Sequence, residues 1–520
     1  MPISSVSRVF RTRLSVIAGA ALVTLGVASP IAAQNVLPVK GGRGDQAVVA
    51  RLDADIAAAV NVWKTAGLAV SIVRNDSVLL SKGYGLREVG KPTPVDADTR
   101  FAIGSTTKAM TSLALAMLVD EGKVRWDAPV IEYLPAFKLS DPWVTRELTV
   151  RDILTHRAGL GNADLLWTGT DFSSEEILRR VATVQPAYSF RAGWIYQNIM
   201  YAVAGAVVEA ASGKTWDAFL EQRIFAPLGM NGTITRLSKV EGQPNVASPH
   251  RMVNDSIRLT VNRAVDPVAA AGSVWSSVND MARWMRFVLD SGRVNGKRLV
   301  SEANFKAWIS PQVVADPSTY PALELSRPHF FLYGLGWFLQ DYNGQAVVMH
   351  TGSIDGMSAL IGLIPDRKLG VYVLANTDHV ELRHAIMYEV FDRLGGAAGT
   401  PKRDWSADLL ALQARENQRP PQPARVANAN TKPTLPLASY VATYRNPTYG
   451  DVVITLVGET LHARFGSGFD GDLTHAQYDT FRARWSGRGE GNITFRPDGN
   501  GRILALQLQG NLFTRLTPAR

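Results

Sequence analysis

Cysteine is absent from all 520 residues. That excludes disulfides, thiolate-held zinc, iron–sulfur clusters, a thiol nucleophile and a lipoprotein anchor. It leaves the redox compartment open, because a core of this size needs no covalent staples. The chain also lacks His-Glu-x-x-His or any comparable ligand spacing, so no metal is expected. It has no G-x-G-x-x-G or phosphate-loop motif, so no nucleotide cofactor is expected either. The net charge of +9 comes from dispersed basic residues, not from a stripe with aromatics between them. That pattern argues against a nucleic-acid partner. The twelve tryptophans are scattered, there is no internal repeat, and past residue 33 no apolar run is long enough to span a bilayer.

Against these absences stand 46% hydrophobic and 19% charged residues, with 44 glycines and 27 prolines. This is the composition of a globular protein. The length suits one large domain with a smaller companion. Residues 1–33 read as a signal peptide: Arg8, Arg11 and Arg13 precede an apolar run from Leu14 to Val27, which ends in Ala-Ser-Pro-Ile-Ala-Ala. Cleavage is expected near Ala33, without stable membrane insertion afterwards, and the mature protein is expected in the periplasm or outside the cell. There is no arginine pair, which points to the Sec route. Losing the three arginines takes 55 basic residues to 52 against 46 acidic ones, a net of +6.

The chain then reads as helix, strand, strand. Val48, Leu52, Ile56, Val60 and Trp63 recur at helical spacing. Leu68–Arg74 and Val78–Lys82 flank Asn75-Asp76, a hairpin turn signal. A helix is expected over 105–122, stopped by Gly122. The middle, about 125–345, reads as mostly helix and loop, with helices at 149–155, 174–183, 197–212, 215–224 and 279–291. Three strands follow at Val347–His350, Ala359–Ile364 and Gly370–Ala375, then a helix at 381–394. Strands from both ends of 46–395, with helices between, predict one antiparallel sheet assembled from distant pieces. Residues 396–436 read as a linker, rich in proline from 400 on, with a polar helix at 404–417. Residues 437–520 alternate short β runs with turn residues and predict a small barrel or sandwich.

Three motifs carry chemistry. Ser105-Thr106-Thr107-Lys108 opens a helix, so serine and lysine at i and i+3 share a face. A serine hydroxyl is inert at neutral pH without a neighbouring base, which Lys108 supplies. Backbone N–H groups at a helix start serve as oxyanion donors. Tyr196-Gln197-Asn198 offers a phenol able to share a proton and an amide for a substrate carbonyl. His350-Thr351-Gly352-Ser353 ends a strand, where the glycine admits a ligand to the backbone and Ser353 N–H is a second oxyanion donor. His350 would share a proton or bind a substrate carboxylate. Each motif alone has a plain structural reading: an N-cap serine, a buried tyrosine, a strand-end histidine. Y-x-N indeed recurs at Tyr444-Arg445-Asn446. His156 reads as structural.

Together, in this order, the three motifs resemble the penicillin-recognising serine hydrolases: class C β-lactamases, D-alanyl-D-alanine carboxypeptidases, family VIII esterases and D-aminopeptidases. Flanking segments match as well, among them Leu154-Thr155-His156-Arg157-Ala158-Gly159-Leu160, Pro227-Leu228-Gly229-Met230 and Tyr333-Gly334-Leu335-Gly336-Trp337. The tail, with Tyr444, Tyr449-Gly450 and Tyr478-Asp479, resembles the lipocalin-like domain that follows some of these enzymes. The resemblance implies an α+β fold of the β-lactamase/transpeptidase type and a small all-β barrel-like domain after it. It implies an acyl-serine mechanism with Ser105, Lys108 and Tyr196 catalytic, and Asn198, His350, Thr351, Gly352 and Ser353 binding substrate. Which of Lys108 and Tyr196 is the base stays open. β-Lactamases of this group usually carry lysine in the third motif, so His350 points toward the peptidase branches. The expected substrate is a small molecule or peptide cleaved at an amide, D-residue peptides included. A carboxylesterase and a slow penicillin-binding sensor are the alternatives.

Overall fold

The computed structural model describes residues 43–396, 403–418, 428, 430–486 and 489–516. The segment read as a signal peptide lies outside them. Among the described residues no helix is long and apolar enough to cross a membrane.

An eight-stranded sheet forms the spine. From one edge the strands run Ser77–Gly85, Gly67–Arg74, Leu369–Ala375, Met357–Ile364, Gln345–Ile354, Phe338–Tyr342, Phe331–Tyr333 and Val313–Val314. Every named neighbour pair is antiparallel. The two N-terminal strands therefore pair with the last strand of the segment, as expected. Their hairpin turns at Asn75 and Asp76, whose φ values of 49° and 62° fit the turn that matches strand twist. The last three edge strands were not foreseen. They are only two to five residues long, and the glycines around Leu335 mask them as loop.

The central strands are buried on both faces, so they read as continuous apolar runs. Alternation assigns their side chains to two cores. Tyr372 and Leu374 join the core that contains Met281 and Met285 of the helix Val278–Leu289. Val371, Val373 and Ala375 join the other, with Leu52 of the N-terminal helix Arg43–Val62 and Met387 of Leu382–Leu394. The first core extends into the helical region built around Thr107–Asp120 and Asn198–Ser212, which makes the larger part an α+β unit.

The segment read as a linker contributes a docked helix, Trp405–Gln418. Its indole ring stacks on Tyr388 at 4.3 Å, and Trp405 Nε1 donates to Asp392 at 2.8 Å. Its buried residues are Trp405, Leu409 and Leu412, so the polar pattern concealed one apolar stripe.

Beyond it, eight strands from Ala442 to Arg515 close into an antiparallel barrel. Rings fill the interior: Tyr440 lies 4.9 Å from Phe495, and Phe469 lies 5.3 Å from Trp485. The barrel is thus a packed core. The second Y-x-N belongs to this packing, with Tyr444 Oη donating to Tyr440 O at 2.7 Å.

The barrel seats on residues 169–183. Arg180 Nη1 donates to the carbonyls of Pro447 and Thr448 at 2.9 and 3.1 Å. Ser467 N–H donates to Asp171 at 2.9 Å. At the centre, Gly466 approaches so closely that a Cβ there would lie 2.3 Å from Gly169 O. Gly466 also has φ +55°, which side chains disfavour. Gly466→Ala is expected to lower stability by at least ~2 kcal/mol, read as a fall in the denaturant midpoint.

Candidate functional site

Ser105 lies in a 3₁₀ turn, Gly104–Thr106, that leads into the helix Thr107–Asp120. The turn packs backbone to backbone against the strand Gln345–Ile354. A Cβ on Gly352 would meet Ile103 O at 1.9 Å and Ser105 N at 3.0 Å, and one on Gly104 would meet Ser353 N at 2.7 Å. Only glycine fits at either position. The consequence is that the main-chain N–H groups of Ser105 and Ser353 are near neighbours.

Lys108 is 0% exposed. Its Nζ lies 3.0 Å from Ser105 Oγ, 2.8 Å from Asn198 Oδ1 and 2.9 Å from Ala271 O. Asn198 Oδ1 and Ala271 O can only accept. A neutral amine has two N–H donors and one lone pair, so it donates to those two and turns the lone pair to the serine hydroxyl. Burial drives the lysine down from 10.5 to about 7, and the Asp164 carboxylate partly opposes it. The free-base form is therefore well populated at neutral pH.

Asn198 begins the helix Asn198–Ser212. Its Nδ2 donates to both oxygens of Asp164, at 3.2 and 3.0 Å, and Trp167 Nε1 donates to Asp164 Oδ1 at 3.0 Å. The carboxylate fixes which end of the amide faces Lys108. Gln197 holds the loop before Asp164 by donating to Leu160 O and Gly161 O at 2.8 and 3.0 Å.

Tyr196 is partly exposed, and its ring lies 4.7 Å from Lys108 Nζ. Burial of the phenol raises its pKa well above 10, although a hydrogen bond with Ser105 works the other way. The phenol therefore keeps its proton at neutral pH. Behind it, the His156 ring packs at a tilt of 35° against Tyr196, 4.3 Å away, and Nδ1 accepts from Gln197 N–H at 3.0 Å. Its burial pushes its pKa well below 6.5, so it is a neutral prop.

The geometry brings Ser105, Lys108, Tyr196 and Asn198 together. In the third motif Thr351 and Ser353 line the cleft, Gly352 packs on the serine turn, and the His350 ring lies 6.3 Å from that of Tyr196 and 5.0 Å from that of Phe338, both cleft walls. His350 is 1% exposed, and its Nε2 lies 3.1 Å from Tyr333 Oη. Its Nδ1 faces Thr351 O, so Nδ1 carries the proton and Nε2 accepts from the tyrosine. Burial, with the Lys108 charge adding to it, lowers its pKa to about 3. His350 therefore carries no formal charge to offer a substrate carboxylate, and it lies behind Tyr196 and Phe338 instead of on the cleft surface.

The cleft measures ≈ 790 Å³. Its walls include residues the motifs did not reveal. Arg383 donates to Gly352 O at 3.0 Å and Ser353 Oγ at 2.8 Å, and pairs with Glu381 at 3.2 Å. Tyr320 and Leu409 also line it. Asp164 had one sequence signal: it is the sole charge in the apolar run from Ala158 to Trp167.

A family model described as Beta-lactamase matches residues 52–391, and one described as Domain of unknown function (DUF3471) matches residues 426–518. The chain is 29% identical over 459 residues to Unguisins hydrolase ungD of Aspergillus violaceofuscus, across 81% of this chain and 78% of that protein. Its fold resembles the octameric penicillin-binding protein homologue from Pyrococcus abyssi, with TM-score 0.59 and 22% identity over 90% of this chain and 100% of that one. It also resembles SurE, solved with D-Leu, with TM-score 0.52 and 22% identity over the same shares. The first match takes in the serine turn, the Tyr196 loop and the strand of His350 in one continuous span, and on that ground the chain belongs to the Beta-lactamase family and is a serine hydrolase.

Proposed function

We propose that this is an exported serine hydrolase that cleaves amide bonds in peptides, D-residue peptides among them, through an acyl-enzyme on Ser105. The observation that carries the reading is the Lys108 amine, held by two acceptors with its third contact on Ser105 Oγ. The lone pair takes the hydroxyl proton as Oγ bonds to the substrate carbonyl carbon. The N–H groups of Ser105 and Ser353 receive the oxyanion. As the C–N bond breaks, the Tyr196 phenol gives its proton to the departing amine and is reprotonated from the lysine. Water then attacks the ester with the amine again as base, and Ser105 Oγ leaves with a proton. Asn198 orients the substrate while Asp164 holds it in place.

The substrate class rests on the walls. His350 is buried and neutral, and the arginine lining the cleft is already engaged by Glu381 and the catalytic strand. A free carboxylate, on which penicillin recognition depends, is poorly served. That argues against a β-lactamase or a sensor and for neutral peptides. The relative named as an unguisins hydrolase and the SurE structure solved with D-Leu make peptides with D-residues the first class to test. Small esters are the second reading, favoured by the apolar lining at Val265, Val268 and Phe338.

Ser105→Ala is expected to lose at least ~1,000-fold in kcat/KM with an unchanged circular dichroism spectrum, and the wild type is expected to show a substrate-sized mass gain on the peptide containing Ser105. Retained activity in the variant refutes the assignment. Aminoacyl anilides, D- and L-, should be turned over alongside nitrophenyl esters, and a chromogenic cephalosporin poorly. Turnover of the esters alone would move the enzyme to the carboxylesterases.

The kcat/KM profile is expected to rise with pH through an apparent pKa near 7. Asp164→Asn removes the charge that holds the lysine pKa up, so the rising limb should move to lower pH, with a rate loss of about tenfold. Stability follows the same group. Between about 7 and 10.5 the folded chain binds fewer protons at Lys108 than the unfolded chain, so stability increases with pH. That part of the slope should vanish in Lys108→Met when unfolding is measured across the window.

A further inference from the structure

Beside the catalytic cleft lies a second cavity of ≈ 680 Å³. Four residues line both: Tyr320, Pro321, Leu412 and Glu416. The two spaces are thus separated by a sill one side chain thick. The sill is anchored to the catalytic strand, because Thr351 Oγ1 donates to Tyr320 Oη at 2.9 Å. Its other half is the helix Trp405–Gln418, whose residues 409, 412, 413 and 416 line the cleft at the i, i+3, i+4, i+7 spacing of a single helix face. This helix lies between the two segments that the family models match.

The second cavity is apolar inside, with Ala315, Leu323 and Phe331 on its walls. At its mouth Val314 is 71% exposed, and Phe330, beside the lining residue Phe331, is 64% exposed. Apolar side chains left uncovered around a concave space mark a surface that apolar groups occupy. Of the charged groups that line the cavity, Glu324 pairs with Arg415, His329 lies 2.7 Å from Asp341, and Arg327 donates to Glu324 O at 3.4 Å. The volume falls within the range of small-molecule sites, ~300–1,000 Å³.

We propose that this cavity is a remote subsite that holds apolar side chains at the far end of an extended peptide whose scissile bond lies at Ser105. The identity of the occupant rests on the amide-hydrolase reading above; the site itself does not. A two-residue substrate fills only the cleft. A six-residue one crosses the sill and gains the second apolar contact, so length and apolar character together set the preference.

The test compares two- and six-residue apolar substrates, each made as a peptide and as a depsipeptide with an ester at the scissile position. Ser318 is exposed and lines the second cavity but not the cleft, so Ser318→Trp fills the one and spares the other. Val314→Lys, at an exposed mouth position, places a charge there without disturbing the core. The wild type should favour the six-residue substrate at least tenfold in kcat/KM. Both variants should lose most of that preference, while their rates on the two-residue substrate stay within twofold of wild type. Equal rates for the two lengths in the wild type, or a variant that loses both lengths alike, would overturn the subsite. If only depsipeptides are cleaved and the length preference still falls in the variants, the amide reading fails and the subsite stands.

Discussion

The molecule is organised around one amine removed from water. Burying a lysine is costly unless the group is neutral or fully partnered. Here the surroundings favour neutrality: two carbonyl oxygens each take one N–H, and what remains of the nitrogen is directed at a hydroxyl. Almost every feature of the site can be traced to keeping that arrangement. The helix Thr107–Asp120 is buried along its length to exclude solvent. The Asn198 amide is held in one orientation by Asp164. A phenol beside the serine keeps its proton because its partly desolvated setting disfavours the charged form. The two titratable partners are thereby pushed apart, the amine toward base and the phenol toward acid, which is the division of labour that acyl transfer requires.

The oxyanion side is built differently, from main chain alone. Gly104 and Gly352 let a turn and a strand approach until nothing larger than hydrogen fits between them. Donors set by such a contact do not depend on side-chain rotamers. The substrate-facing walls, by contrast, are side chains from many elements, including a helix outside both family-matched segments. Chemistry is thus fixed by close backbone packing, and selectivity resides where packing is looser.

Much of this was legible in the residues. The i, i+3 spacing of Ser105 and Lys108 on a helix start is a local fact, and so are the hairpin at Asn75-Asp76 and the long central strands. What escaped was set by tertiary context. The edge strands around Tyr333 are too short to show a period. The helix Trp405–Gln418 looked like a polar connector because its three buried residues are spread among charged ones. A sequence gives His350 as a residue but not how deeply it is buried, and burial sets its charge. Asp164 acts only through Asn198, and no spacing rule links residues joined across a loop.

The barrel touches none of the reacting groups, yet it rests on the segment that immediately follows Asp164. The backbone around Gly466 is pressed against Gly169, and that residue caps the short helix Leu165–Thr168. Asp164 caps the other end of the same helix. A tilt of the C-terminal module would therefore travel through a single turn to the carboxylate that sets how readily the buried nitrogen takes up hydrogen ions. The same short helix carries Trp167 and Thr168, which line the cleft, so a change in how the barrel seats would reach the walls and that carboxylate together.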